Sequence, residues 1–155
     1  MILNLRKPKG LTSHDVVNRV RKITGERRVG HGGTLDPLAE GVLIVGIGRE
    51  STKKLEKILK GTTKEYEALI EFGTTSSTDD SEGELTSTKA NVGLLTKTKL
   101  LSALGSFYGE ITQTPPTYSA VKILGKPAYK LARSGKKPIL KARTVTIKEA
   151  KLLLF

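Results

Sequence analysis

The sequence predicts an α+β fold built on a mixed, mainly antiparallel sheet flanked by helices. Three observations lead there. Val16, Val17, Val20 and Ile23 recur at helical spacing. Lys64 to Gly73 alternates with a period of two, Tyr66, Ala68, Ile70 and Phe72 on one face and Glu65, Glu67 and Glu71 on the other. The candidate elements run strand, helix, strand, helix, strand, loop, helix, basic loop, strand, in a chain of 155 residues. That length suits one domain or two tightly joined subdomains.

The first strand is Ile2 to Arg6, stopped by the Lys7-Pro8-Lys9-Gly10 turn. Thr12 or Ser13 caps the helix that follows, with Asp15 in its first turn, where a carboxylate meets unpaired backbone N–H groups. The valine face turns inward, Arg19, Arg21 and Lys22 face out, and Gly25 suits the C-terminal cap. Gly41 to Gly48 (GVLIVGIG) is a buried strand, and Thr52 to Leu59 a helix with Leu55, Ile58 and Leu59 inward. Lys64 to Gly73 is the alternating strand. Asp79, Asp80, Glu82 and Glu84 sit in a Ser/Thr/Gly-rich loop, expected to face away from any polyanion. A helix near Thr96 to Tyr108 buries Leu100, Leu101, Leu104 and Phe107, and Thr144 to Phe155 ends the chain in strand-like alternation.

Composition narrows the chemistry. Cys is absent, which removes disulfides, thiolate zinc sites and Cys nucleophiles, and the two His make a His-based metal site a poor expectation. No apolar run approaches the roughly 20 residues of a membrane span. Met1 to Lys9 lacks a signal-peptide core, so a cytoplasmic protein is expected. The formal net charge is +12. Nucleic acid is the commonest partner of so basic a chain, though charge alone leaves a plain basic surface equally open. The charge is uneven: Ile111 to Lys148 holds nine Lys or Arg and no Asp or Glu, with Tyr118 and Tyr129 among them. That mixture suits phosphate contacts combined with stacking on unpaired bases. Gly46-x-Gly48 is a poor dinucleotide fingerprint, and no P-loop is present.

The densest segment is Gly30-His31-Gly32-Gly33-Thr34-Leu35-Asp36-Pro37-Leu38-Ala39-Glu40-Gly41. Its glycines let the backbone bend sharply and approach a ligand. Local pattern alone favours Asp36 as a helix N-cap with Pro37 in the first helical position, and His31 as a turn or surface residue. Tyr66 taken alone is a half-buried strand aromatic.

The segment Gly30-His31-x-Gly33-Thr34-Leu35-Asp36-Pro37-x-Ala39-x-Gly41 strongly resembles the catalytic motif of the TruB-type tRNA pseudouridine synthases. Four further pieces follow the family in order. Lys7-Pro8-x-Gly10-x-Thr12-Ser13-His14 is similar to its amino-terminal motif, and Lys64-x-Tyr66 to its second. Gly73 through Thr78-Asp79-Asp80 to Glu82-Gly83 follows at the expected place. Gln113-x-Pro115-Pro116-x-Tyr118-Ser119-Ala120-x-Lys122, with Gly125-Lys126, Tyr129, Ala132-Arg133 and Gly135, resembles its RNA-contacting insertion, and Arg143-x-Val145-x-Ile147 continues the register.

The resemblance implies a pseudouridine synthase fold and an isomerase converting uridine to pseudouridine in the TΨC loop (position 55) of tRNA, with no cofactor, metal or membrane. Asp36 is the implied nucleophile, attacking either the sugar C1′ or the base. An aspartate carboxylate, of reference pKa about 3.9, is ionised at neutral pH and needs no separate base. His31 is implied to displace the flipped base, Tyr66 to stack on it, and Tyr118 to line the pocket or stack. Lys122, Lys126, Lys130 and Arg133 are implied phosphate contacts. The family continues to a Gly-Thr-Tyr-Ile-Arg motif whose arginine pairs with the aspartate, and that motif is missing from this sequence. The expectation is therefore the amino-terminal portion of a catalytic domain over 1–155. A basic insertion lies at about 111–142, and the C-terminal catalytic part and RNA-binding module are absent, with a second chain as one source for the missing C-terminal part. The alternative is a non-catalytic RNA-binding or tRNA-folding module, or an inactive fragment of such a synthase.

Overall fold

The computed structural model describes residues 1–88 and 92–155, and the chain divides into two units, Met1–Glu67 and Ala68–Phe155. In the first unit β1 (Ile2–Lys7), α1 (Ser13–Thr24), β2 (Val29–His31), β3 (Gly41–Ile47) and α2 (Arg49–Leu59) follow one another. The sheet order is β1-β3-β2 with both pairings antiparallel, Leu5 opposite Leu43 and His31 opposite Val45. Alternation turns Leu43, Val45 and Ile47 to one face of β3, where the inward face of α1 meets them. Val16, Val17, Val20, Val29, Leu43 and Val45 form the buried core, with Leu5, Leu35 and Ile47 packed against it.

Helix α1 starts where its chemistry says it should. Thr12 is the N-cap, its hydroxyl accepting from the Asp15 N–H at 3.1 Å while the Asp15 carboxylate accepts from the Thr12 N–H at 2.9 Å. The Thr12 hydroxyl and then the Thr12 N–H hold the Asp15 carboxyl below its ordinary value. The stabilisation is therefore present above the unfolded-state pKa and lost as pH falls through the lower folded value. Thr12→Ala is expected to cost about 1 kcal/mol in chemical unfolding, and Asp15→Asn to flatten the acid side of the stability profile. Gly25, at φ 69°, closes the helix in the left-handed region.

Two expectations for α1 change. Ile23 is 84% exposed, because the chain turns away at Gly25 before a core partner reaches it. Arg21 does not simply face out: its guanidinium donates to the Val29 carbonyl (3.0 Å) and to Asn18 Oδ1 (3.1 Å), tying α1 to β2. Helix α2 begins earlier than periodicity suggests, at Arg49, because Gly48 at φ 84° turns the chain straight out of β3. A Cβ on Gly46 would lie 3.0 Å from the Ser51 carbonyl carbon, so the bare backbone of β3 lets the start of α2 approach. Of the residues expected inward on α2, Leu55 is buried and Ile58 is exposed.

In the second unit β4 (Thr74–Ser76) and β5 (Leu85–Ser87) form an antiparallel hairpin, as do β7 (Lys122–Ile123) and β8 (Lys126–Pro127). Strand β6 (Gly109–Gln113) pairs antiparallel with β9 (Arg143–Ile147), and the helices are α3 (Lys97–Gly105) and α4 (Ala128–Arg133). Three expectations are corrected here. Lys64 to Phe72 forms no strand and leaves Tyr66, Ile70 and Phe72 exposed, since an alternating pattern becomes a strand only against a partner backbone and none pairs with it among the described residues. Helix α3 stops at Gly105, buries none of its residues, and leaves Leu101 and Phe107 exposed. Strand β9 ends at Ile147, and Leu153, Leu154 and Phe155 lie exposed beyond it. No described helix is long and apolar enough to cross a membrane.

Candidate active site

Asp36 lies in the loop between β2 and β3. The local helix-cap reading is overturned, because no helix follows Pro37. The Ala39 N–H instead donates to the Asp36 carbonyl at 3.1 Å, closing a four-residue turn with Pro37 second. Proline favours that position because its ring presets φ. The Asp36 side chain is exposed, and its carboxylate makes no hydrogen bond or ion pair among the described residues.

The loop around this carboxylate is held at three points. Before it, the Gly32 N–H donates to the Ile44 carbonyl at 2.9 Å, continuing the β2–β3 ladder by one bond. A Cβ on Gly32 would meet the end of the Leu59 side chain of α2, so a larger residue there requires Leu59 to shift. Immediately before Asp36, the Leu35 N–H donates to Ser13 Oγ at 2.9 Å, and Ser13 Oγ donates back to the Leu35 carbonyl at 3.1 Å. Immediately after it, the Pro37 carbonyl accepts from the Gly10 N–H at 2.8 Å and from Lys7 Nζ at 3.5 Å.

Lys7 is fully buried. Alternation along β1 turns it to the same side as Leu3 and Leu5, at the strand's end where the core gives way to the Pro8–Leu11 turn. Its ammonium donates to the carbonyls of Pro8 (3.0 Å) and Leu11 (2.7 Å) as well as Pro37, three acceptors for three donors. A buried charge is tolerated when its hydrogen-bonding capacity is met. Here carbonyl dipoles meet it, and among the described residues no carboxylate lies within ion-pair distance.

His31 is the last residue of β2, and its Nδ1–H donates to the Gly33 carbonyl at 2.7 Å, orienting the ring beside the loop. Arg6 and Glu40 form an exposed ion pair of 3.1 Å where the loop rejoins β3. Tyr66 is 76% exposed in the irregular segment after α2.

The basic residues form a group of their own in the second unit. Lys122 lies on β7 and Lys126 on β8, joined by Leu124 and Gly125 at φ 47° and 80°, the backbone of a two-residue hairpin turn with two positive φ values. Lys130 and Arg133 occupy α4, whose first residue, Ala128, is fully buried. The Arg133 guanidinium stands 5.8 Å from the centre of the Tyr129 ring, within cation–π range. Tyr118 is exposed in the bend before β7.

A model of the TruB family pseudouridylate synthases, N-terminal domain, matches residues 21–155. The chain belongs to the TruB family. It is 49% identical over 151 residues to the tRNA pseudouridine synthase B of Synechocystis sp., covering 97% of this chain and 50% of that protein. It is 47% identical over 152 residues to the tRNA pseudouridine synthase B of a Mycobacterium sp., covering 98% and 50%. The chain thus spans about half the length of the curated relatives it matches. Among solved structures, a chain in the crystal structure of a Cbf5-Nop10-Gar1 complex is similar at TM-score 0.53 and 28% identity, covering 94% of this chain and 32% of that one. The sequence motifs of this TruB-family chain marked Asp36 and His31, but not the work done by Lys7 and Ser13. The alternation Leu3, Leu5, Lys7 was the available signal that Lys7 turns inward.

Proposed function

We propose that this chain carries the nucleophile-bearing part of an enzyme that isomerises uridine to pseudouridine in the TΨC loop of tRNA, at position 55. The observation that carries the reading is the Asp36 carboxylate, exposed and without a hydrogen bond or ion pair among the described residues, within a turn fixed on both sides. A nucleophile needs that combination, a free reacting group on a rigid backbone. Relatives named tRNA pseudouridine synthase B support the substrate class. The target base must be extruded from the loop, at a cost of a few kcal/mol. His31 fills the space the base leaves and Tyr66 stacks on the uracil. Asp36 attacks C1′ or the base and forms an ester; the N1–C1′ bond breaks, the base turns, C5 bonds to C1′, and cleavage of the ester frees the Asp36 carboxylate. The proton leaves C5 and N1 regains one, so atoms balance without an external reagent.

In this reading 1–155 is one portion of the catalytic domain, and the stretch at about 111–142 is its RNA-contacting insertion. Lys122, Lys126, Lys130 and Arg133 meet phosphates there, and Tyr118 stacks on a base or walls the pocket. The remaining catalytic part comes from further protein. The second reading, a module that binds tRNA without turning it over, draws on the chain's span of about half its relatives' length.

The test is a tRNA labelled with tritium at C5 of the target uracil. Tritium release by the chain together with the remaining catalytic part supports the isomerase, whereas binding without release by that complete assembly selects the second reading. The insertion predicts a steep salt dependence. Log affinity should fall linearly with log salt by roughly 0.7–0.9 per phosphate contact, and Lys130→Ala with Arg133→Ala should reduce the slope by about two contacts. A flat dependence in filter binding would contradict the role given to these residues.

A further inference from the structure

We infer that Ser13 is a positioning residue that sets where the Asp36 carboxylate stands. The inference rests on Asp36 being the reacting group. Ser13 opens α1, yet its hydroxyl serves neither the helix cap, which Thr12 supplies, nor solvent, since Ser13 is only 3% exposed. The hydroxyl accepts from the Leu35 N–H (2.9 Å) and donates to the Leu35 carbonyl (3.1 Å). One side chain thereby reproduces the two-bond exchange that a residue pair makes across an antiparallel ladder.

The position of Leu35 gives this pairing its consequence. Its side chain packs against the core cluster while its peptide groups are held by Ser13, so the residue is fixed at both backbone and side chain. The next residue is Asp36. Among the described residues its carboxylate has no hydrogen bond of its own to orient it. Its direction is therefore inherited from the backbone of Leu35 and from the turn closed by Ala39. The Ser13 pairing is made by a side chain and can be removed by one substitution without altering the loop's own sequence; the other side-chain tie to the turn, from Lys7 to the Pro37 carbonyl, is longer at 3.5 Å and lies on the far side of Asp36.

Amide hydrogen exchange and the Asp36 carboxyl carbon signal, both read by NMR on the whole chain, test this. In the unmodified protein the Leu35 N–H exchanges more slowly than those of Thr34 and Asp36. In Ser13→Ala, Leu35 exchange accelerates by roughly tenfold, the scale of one lost hydrogen bond, and the Asp36 carboxyl signal shifts or broadens. The amides of Val17 and Val20 hold within about twofold. Ser13→Thr, which keeps the hydroxyl, restores both signals. An unchanged Leu35 amide in Ser13→Ala, or acceleration spread equally through α1, overturns the inference. Should Ser13→Ala not fold, Leu35 exchanging as fast as Thr34 in the unmodified chain overturns it as well. Turnover retained by Asp36→Asn would instead defeat the reading of Asp36 as nucleophile, and neither NMR signal depends on it.

Discussion

Asp36→Asn is expected to abolish pseudouridine formation while tRNA binding stays within about twofold of the unmodified chain. The loss should be on the order of 10⁴-fold or more, the scale on which removal of a nucleophile acts. Asparagine keeps the shape of the side chain and removes its charge and its ability to form a covalent ester. The carboxylate makes no hydrogen bond or ion pair among the described residues, so its replacement should leave unfolding stability within about 0.5 kcal/mol. Tritium release and filter binding on the same preparations separate the two effects. Equal loss of binding and turnover would assign Asp36 to RNA contact, and retained turnover would remove it from the chemistry.

Lys7→Met should have the largest effect on stability. The methionine fills similar space with an apolar chain, but strands the carbonyls that the ammonium serves, those of Pro8, Leu11 and Pro37. Hydrogen bonds to charged donors contribute about 1.5–3 kcal/mol each, and the bond to Pro37 is long, so the expected cost is about 2–4 kcal/mol. Urea unfolding followed by circular dichroism measures it. Removing Lys7 also frees one side of the turn that carries Asp36, so turnover should fall further than the folded fraction alone predicts. A variant of unchanged stability would show that water replaces the ammonium without cost and that Lys7 is not a structural tie.

What could be read from the sequence divides by the range of the interactions. Helix α1 was legible in its first turn, its valine face and its terminus, because Thr12, Asp15 and Gly25 act on neighbours within one turn, although the cap stayed open between Thr12 and Ser13 and Ile23 was placed inward where it is exposed. Strand β3 was legible because its apolar run is bounded by glycines. The alternation from Lys64 to Gly73 misled, because periodicity reports which face a strand would bury and says nothing about whether a partner strand is there. Strands β2, β4, β5, β6, β7 and β8 and helix α4 went unread; the Lys122–Lys126 hairpin shows its turn in the Leu124-Gly125 geometry rather than in a run of β-branched residues. At the site, the residues around Asp36 were legible as a motif, while the local chemistry of Asp36-Pro37 pointed to a helix that does not form. Lys7 and Ser13 could not be given their roles, since the bonds that tie them to the Asp36 loop reach residues 30 and 22 positions further along the chain.

The distances those ties span carry a kinetic meaning. Ser13 and Leu35 are 22 residues apart, Lys7 and Pro37 are 30, and the ladder from which both hang closes near Met1 and Ile47, 46 apart. Long closures must be completed before their contacts repay the lost chain entropy. The Asp36 turn is therefore not a local nucleus. Its own Ala39–Asp36 bond is local, but the ties from Lys7 and Ser13 that anchor it close only once the chain from β1 through Pro37 has come together. Anything that weakens the meeting of β1 and α1 with the segment after β2 is therefore expected to loosen the Asp36 turn as well.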